Sequence, residues 1–300
     1  MASRVDLHLH TKASDGALRP AELVEAAALI GIRVIAVTDH DSVGGIGEAR
    51  EAASGLPIEV IPGIEVSTNL DGNEIHVLGY LLNADDPSLR EALGRVQADR
   101  MTQAHAMVER LGALGYQIEW DRVIAIANGG SVGRPHIAKA LVERGAVASV
   151  DEAFSRFLRR GGPGYVEGRT LLPQEAISLI REAQGVPSLA HPIIAGASDY
   201  HLDLERLLPM MMEAGLEGIE AYYKGYTPEM TASLLAVADR HQLMPTGGSD
   251  FHGGGVVADA ELGGVEVPWE TVERLRARKQ ELDRALISPS SVVTHNDRSC

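Results

Sequence analysis

Short apolar runs that read as strands alternate with runs of helical periodicity at both ends of this chain, and that alternation admits few folds. Residues 5–9 are strand-like and lead into a polar loop from Thr11 to Arg19. Pro20 then stands where a first helical residue is favoured, with Leu23, Val24, Ala27 and Ile30 on one face. Gly31 closes that helix, and residues 32–37, 58–61 and 75–81 continue as strands. The same rhythm returns late in the chain. Pro173 starts a helix through Ile177, Ile180 and Ala183, and residues 186–190, 216–221, 243–247 and 262–267 read as strands with helices between them. Strands separated by helices predict parallel pairing in an α/β domain.

Between about Asp85 and Gly161 the rhythm breaks. Asp86-Pro87 opens a long helical run with Leu89, Leu93, Val96, Met107, Val108 and Leu111 as its apolar positions. Ser149-Val150-Asp151-Glu152 is a capping box before Phe154, Phe157 and Leu158. Residues 85–161 are therefore expected to form a helical insertion, with residues 1–84 and 162–286 forming the α/β body. Residues 287–300, polar and rich in Ser, are expected to be a disordered tail.

Polar residues fall at telling places in these strands. His8 and His10 are two apart, so they share one strand face. His40 and Glu65 follow strand candidates, His76 lies within one, His191 closes one, and Asp250 and His252 follow another. In β/α barrels the C-terminal strand ends build the active site. Any one of these residues alone reads as a hydrogen-bonded core group or a helix cap; six strand positions with the same placement point to a metal centre. Imidazole and carboxylate donors without sulfur suit Mn²⁺, Zn²⁺ or Fe²⁺. The single cysteine, Cys300, is the last of the 300 residues, which excludes an internal disulfide and a thiolate site.

The motifs resemble the PHP (polymerase and histidinol phosphatase) family. They are Val5-Asp6-Leu7-His8-Leu9-His10-Thr11, Ser14-Asp15-Gly16, Val37-Thr38-Asp39-His40-Asp41, Pro62-Gly63-Ile64-Glu65 and Ser249-Asp250-Phe251-His252. The resemblance implies a distorted seven-stranded β/α barrel holding three divalent ions. His8, His10, Glu65 and Asp250 would hold one ion; Glu65, His76 and His191 the second; Asp15, His40 and His252 the third. Many members have His where this chain has Asp15, and an oxygen donor there shifts weight toward Mn²⁺.

Gly133-Arg134-Pro135-His136 and Arg160-Gly161-Gly162-Pro163-Gly164-Tyr165 resemble the small-nucleotide branch of the family. Arg134 and His136 would then contact substrate phosphate, with Arg160 and Lys224 as further candidates; by itself Arg134 reads as a surface salt bridge. The implied reaction is hydrolysis of a phosphate ester, foremost the 3′-phosphate of a nucleoside 3′,5′-bisphosphate. Metal-bound hydroxide would attack phosphorus. Asp250 is counted with the catalytic groups, and His191 or His252 would assist the departing alkoxide. The alternatives are a 5′→3′ exonuclease on short oligonucleotides, a histidinol-phosphate phosphatase and a non-catalytic nucleotide-binding module.

A formal net charge of −15 excludes a broad basic face that coats duplex nucleic acid, but not a small cationic pocket beside bound metal. No apolar run reaches the length of a membrane span, and residues 5–9 begin a strand too early for a cleavable leader. The expected partner is a small phosphorylated substrate and the expected location is the cytoplasm.

Overall fold

A computed structural model describes residues 4–193, 202–253 and 260–287. Seven strands and ten α-helices are found among these residues. The first part runs β1 (Val5–Leu9), α1 (Pro20–Leu29), β2 (Val34–Val37), α2 (Ile46–Ala53), β3 (Glu59–Leu70) and β4 (Asn73–Tyr80). The middle is helical: α3 (Pro87–Ala113), α4 (Trp120–Ala127), α5 (Arg134–Glu143) and α6 (Val150–Ala153), which widens into a π-helical turn over Phe154–Leu158. The last part runs α7 (Pro173–Glu182), β5 (Val186–Leu189), α8 (Leu204–Glu213), β6 (Gly218–Tyr223), α9 (Pro228–His241), β7 (Met244–Gly248) and α10 (Trp269–Ile287).

The strands form one sheet in sequence order. A parallel bridge from Leu9 to Phe251, just beyond β7, brings the last strand back to the first and nearly closes a barrel. Parallel pairing holds for β1–β2–β3 and β5–β6–β7, but β4 is antiparallel to both neighbours. The expectation of uniformly parallel pairing is thus corrected. Only Asp71-Gly72 separates β3 from β4, and a two-residue connection makes a hairpin, whereas a parallel crossover needs a dozen or more residues. Gly72, at φ +91°, supplies the left-handed backbone of that turn. Residues 262–267 form no strand; they reach the start of α10 as coil and turn. The residues beyond 287 lie outside the described structure.

Leu7, Ala36, Ile61, Leu78, Tyr80 and Ala190 pack among the barrel strands. Separate clusters seat α1 and α2 on β1–β3, and α7, α8 and α9 on β3–β6. The middle helices have a cluster of their own, built on Met107, Leu111, Val123, Ile137, Leu141 and Phe157. Leu89 and Leu93 of α3 belong instead to the cluster under α7 and α8, so this helical stretch is tied to the barrel at its start. α3 and α6 are capped as the residue types require, with the Asp86 carboxylate accepting from Leu89 N at 2.9 Å and Ser149 Oγ from Glu152 N at 3.1 Å.

The contact between β7 and β1 positions the first site residue. A Cβ on Gly248 would lie 2.6 Å from the His8 Cβ and closer still to the His8 backbone nitrogen. Gly248→Ala should therefore cost about 1–3 kcal/mol by overpacking and push His8 off its position. Urea unfolding read alongside metal content checks this, and an unchanged midpoint would show that β1 and β7 can separate freely.

Candidate metal centre

Glu65 is where the site begins. β3 pairs with β2 as far as Pro62 and with β4 from Gly63 onward, so Glu65 lies just where the strand passes from barrel to hairpin. Its side chain is fully buried. Glu65 Oε2 lies 3.1 Å from His8 Nε2, 3.1 Å from His10 Nε2 and 3.2 Å from His40 Nδ1. Glu65 Oε1 lies 2.8 Å from His76 Nδ1 and 2.9 Å from His191 Nε2. One carboxylate from β3 thus gathers imidazoles delivered by β1, β2, β4 and β5.

Asp250 follows β7 with φ +51°, a left-handed backbone that Asp tolerates better than most residues. Asp250 Oδ1 sits 3.1 Å from His10 Nε2 and 3.5 Å from both His8 Nε2 and His252 Nδ1. Asp250 Oδ2 accepts from Tyr223 OH at 2.7 Å and pairs with Lys224 Nζ at 3.0 Å. Asp15 Oδ1 is 3.4 Å from His252 Nε2 and 3.7 Å from His10 Nδ1. His252 Nδ1–H donates to the Asp250 carbonyl at 3.0 Å, which leaves its Nε2 for the centre.

Three groups of donor atoms lie close enough to hold a cation: His8/His10/Glu65/Asp250, His10/Asp15/His40/His252 and His40/Glu65/His76. The first set is the one expected. The second adds His10 to the expected third set. In the remaining group His40 stands where His191 was expected, although His191 reaches the same Glu65 oxygen. Both ring nitrogens of buried His10, and Nδ1 of His40, face carboxylates without making a hydrogen bond among the described residues. A buried polar atom left unpaired costs about 1–3 kcal/mol, and a divalent ion in these positions would satisfy them. The donor set fits such ions.

Carboxylates behind the centre hold its histidines in place, and these were not singled out from the sequence. Glu220 Oε1 accepts from His8 Nδ1 at 3.0 Å, turning Nε2 toward Glu65, while Glu220 Oε2 accepts from the His191 backbone N–H at 2.7 Å. A buried acid in the apolar run Ile219-Glu220-Ala221 was the available signal. Asp6 accepts from Ser249 N, Ser249 Oγ and Gly263 N at 2.6–2.9 Å, and burial raises its carboxyl to about 6. Asp39 accepts from Thr11 N, Thr11 Oγ1 and Ser14 Oγ, each at 2.7 Å, fixing the loop that carries Asp15. Arg100 of α3 pairs with Asp41 and donates to Ser67 Oγ at 3.0 Å, bringing the middle helices against the barrel.

The residues expected to contact substrate divide. Lys224 stands at the centre through Asp250. His136 is buried in the first turn of α5, where its Nδ1 accepts from Gly133 N at 3.1 Å. Burial lowers its basicity against the opposing pull of Asp15. Arg134, at the same helix start, forms the salt bridge it suggests in isolation: both Glu74 oxygens accept from its Nη2 at 2.6 and 2.5 Å. Arg160 pairs with Glu167 at 2.8 Å and lies against Gly72 at the tip of the β3–β4 hairpin, so it is not brought to the metal centre.

A PHP domain family model matches residues 6–167. The 5′-3′ exoribonuclease Rnm of Salmonella typhimurium is 35% identical over 279 residues, covering 90% of this chain and 94% of that protein. The 3′,5′-nucleoside bisphosphate phosphatase of Chromobacterium violaceum is 34% identical over 255 residues, covering 84% and 88%. A solved structure of a proposed metal-dependent phosphoesterase from Bifidobacterium adolescentis superposes with a TM-score of 0.84 at 32% identity, covering 91% of this chain and 96% of the other. The chain belongs to the PHP domain family. No described helix is long and apolar enough to cross a membrane.

Metal binding here should be linked to protons. Burial pushes the His10 and His76 imidazolium groups down, but the surrounding carboxylates outweigh it and hold them up to about 9 and about 10. In the metal-free protein their ion pairs are stabilising below pH 6.5 and are lost as pH rises through those values. A metal needs the neutral imidazole, so its affinity runs the opposite way. Calorimetric titration with Mn²⁺ at pH 7, in buffers of different ionisation enthalpy, should reveal net proton release, and affinity should strengthen from pH 6 to pH 8. Binding without proton release would mean that ions do not displace protons from these imidazoles.

Proposed function

We propose that this metal-dependent hydrolase of phosphoric esters removes the 3′-phosphate of nucleoside 3′,5′-bisphosphates at a centre of three divalent ions. The observation that carries the reading is the placement of α5. Its first turn sets Arg134 and His136 beside a buried cluster of carboxylates and imidazoles, and a relative named for this activity aligns over 84% of the chain. Divalent ions held by His8, His10, Asp15, His40, Glu65, His76, His191, Asp250 and His252 would supply charge for the phosphoryl oxygens and activate a water. Mn²⁺ is favoured over Zn²⁺ or Fe²⁺ by the oxygen donor at Asp15.

The chain's own groups then have distinct tasks. A helix N-terminus suits a phosphate, since its free N–H groups and dipole favour negative charge. Arg134 adds a charged donor there, and Lys224 adds a second positive charge beside Asp250. His252 spends its Nδ1–H on a carbonyl, whereas buried His191 Nδ1 has no hydrogen-bond partner among the described residues. His191 and His252 each turn Nε2 toward the centre, and either would assist the departing alkoxide. The cytoplasm is the compartment we assign, in keeping with a small nucleotide substrate.

The 5′→3′ exonuclease reading is kept as the second one because the Salmonella relative aligns over 90% of the chain. One centre with a pocket of different depth would serve either ester. Protein loaded with Mn²⁺ should release phosphate from adenosine 3′,5′-bisphosphate and leave adenosine 5′-monophosphate, and chelator-stripped protein should not. Loss of a charged hydrogen bond worth about 1.5–3 kcal/mol predicts that Arg134→Ala raises KM by roughly 10- to 150-fold. Phosphate-free reactions beside a ladder from a 5′-phosphorylated oligoribonucleotide would move the assignment to the exonuclease. Turnover of histidinol phosphate alone would overturn both nucleotide readings.

A further inference from the structure

Glu74 sits between two groups that have so far been treated separately. It is two residues before His76 on β4, so both side chains project from the same face of the strand. His76 presents Nδ1 to Glu65 at 2.8 Å and Nε2 to Glu74 Oε1 at 3.2 Å. Once Nδ1 serves an ion, the ring proton must reside on Nε2, and Glu74 is its acceptor. That is the carboxylate–histidine–metal arrangement, in which the outer carboxylate sets both the tautomer and the angle of the ring.

The same carboxylate holds Arg134. Both of its oxygens accept from Nη2, while Nε and Nη1 of Arg134 make no hydrogen bond among the described residues. The guanidinium is thus anchored by one corner, with its remaining N–H groups left for a ligand. The residues form a continuous line, Glu65–His76–Glu74–Arg134, from the buried carboxylate of the metal centre to the arginine at the start of α5. Glu74 belongs to none of the three donor groups, and with its side chain 43% exposed it is no part of the hydrophobic core.

We propose that Glu74 is a positioning residue that couples occupancy of the metal position at His76 to the grip of Arg134 on substrate phosphate. The proposal rests on the reading of His76 as a metal ligand and of Arg134 as a phosphate contact. With the ion bound, His76 is fixed and its Nε2–H holds Glu74, which in turn fixes Arg134.

Glu74→Gln tests this without removing volume, because an amide keeps one acceptor oxygen but puts a donor where the second was. Two probes suffice: Mn²⁺ titrated into stripped protein, followed by the resonance of the free ion, and inorganic phosphate bound to the Mn²⁺-saturated protein. E74Q should weaken one Mn²⁺ by about 10- to 100-fold and should also weaken phosphate at saturating Mn²⁺. R134A should weaken phosphate and leave Mn²⁺ binding unchanged, and the double variant E74Q/R134A should lose no more phosphate affinity than R134A. An E74Q effect on only one probe, or on neither, overturns the coupling. So do fully additive losses in the double variant, or an unaltered protein that binds no phosphate. Neither probe requires turnover of a nucleotide, so the coupling and the choice of substrate stand or fall separately.

Discussion

Five imidazoles crowd the two oxygens of Glu65, and the rest of the molecule is arranged so that they can. A buried carboxylate alone is costly; surrounded by histidines it is held well below the usual carboxylate range despite the opposing effect of burial. The histidines come from four different strands, so the carboxylate specifies the relative height of those strands around the barrel. His40 makes the point locally. A parallel bridge ties it to Glu65, and Asp41 N donates to the Glu65 carbonyl at 2.9 Å. The end of β2 and the middle of β3 are thereby locked together by backbone as well as by side chain.

The hairpin gives the barrel its asymmetry. A fully parallel barrel delivers site residues from strand ends only. Because β3 runs on past Pro62 and returns as β4, His76 reaches the centre from the interior of a strand travelling the other way. Two chain features make this possible. Asp71-Gly72 allows a turn too short for a helix, and Gly79 lets β4 lie against α7, where a Cβ would fall 2.9 Å from Ile180. The hairpin also carries Glu74 out toward the middle helices, so one strand contributes both to the buried donor cluster and to the contact with α5.

The legible part of this structure was the part with a period. Alternating strands and helices, the proline-led starts of α1, α3 and α7, and the His and carboxylate residues at strand ends all leave local patterns. The direction of β4 was hidden by the length of β3: a strand over 58–61 leaves a connection long enough for a parallel crossover before residue 75, whereas β3 runs on to Leu70 and only Asp71-Gly72 remains. Residues 262–267 carry a strand-like composition, yet the Leu9–Phe251 bridge already brings the end of β7 against β1, where a further strand would have to pair. Glu220, Glu74 and Arg100 were hidden for a different reason. An acid or arginine acquires its meaning from what lies opposite, and His8 lies 212 residues from Glu220 in the chain.

Of the contacts between the middle helices and the centre, the most buried is at Asp41. Asp41 is fully buried one residue after His40, and its partner Arg100 comes from α3, the long helix of the insertion. Gln97 Nε2, one turn earlier, donates to the Asp41 carbonyl at 2.8 Å, and Asp41 Oδ1 accepts from Ser67 N at 2.9 Å on β3. Taking one partner from such a buried pair costs about 3–5 kcal/mol, because the other charge is left uncompensated. A lid that swings clear of the barrel would have to break this contact in every cycle and strand Asp41 beside His40. Arg100 and Gln97 thus tie α3 to the barrel at Asp41, the residue after His40.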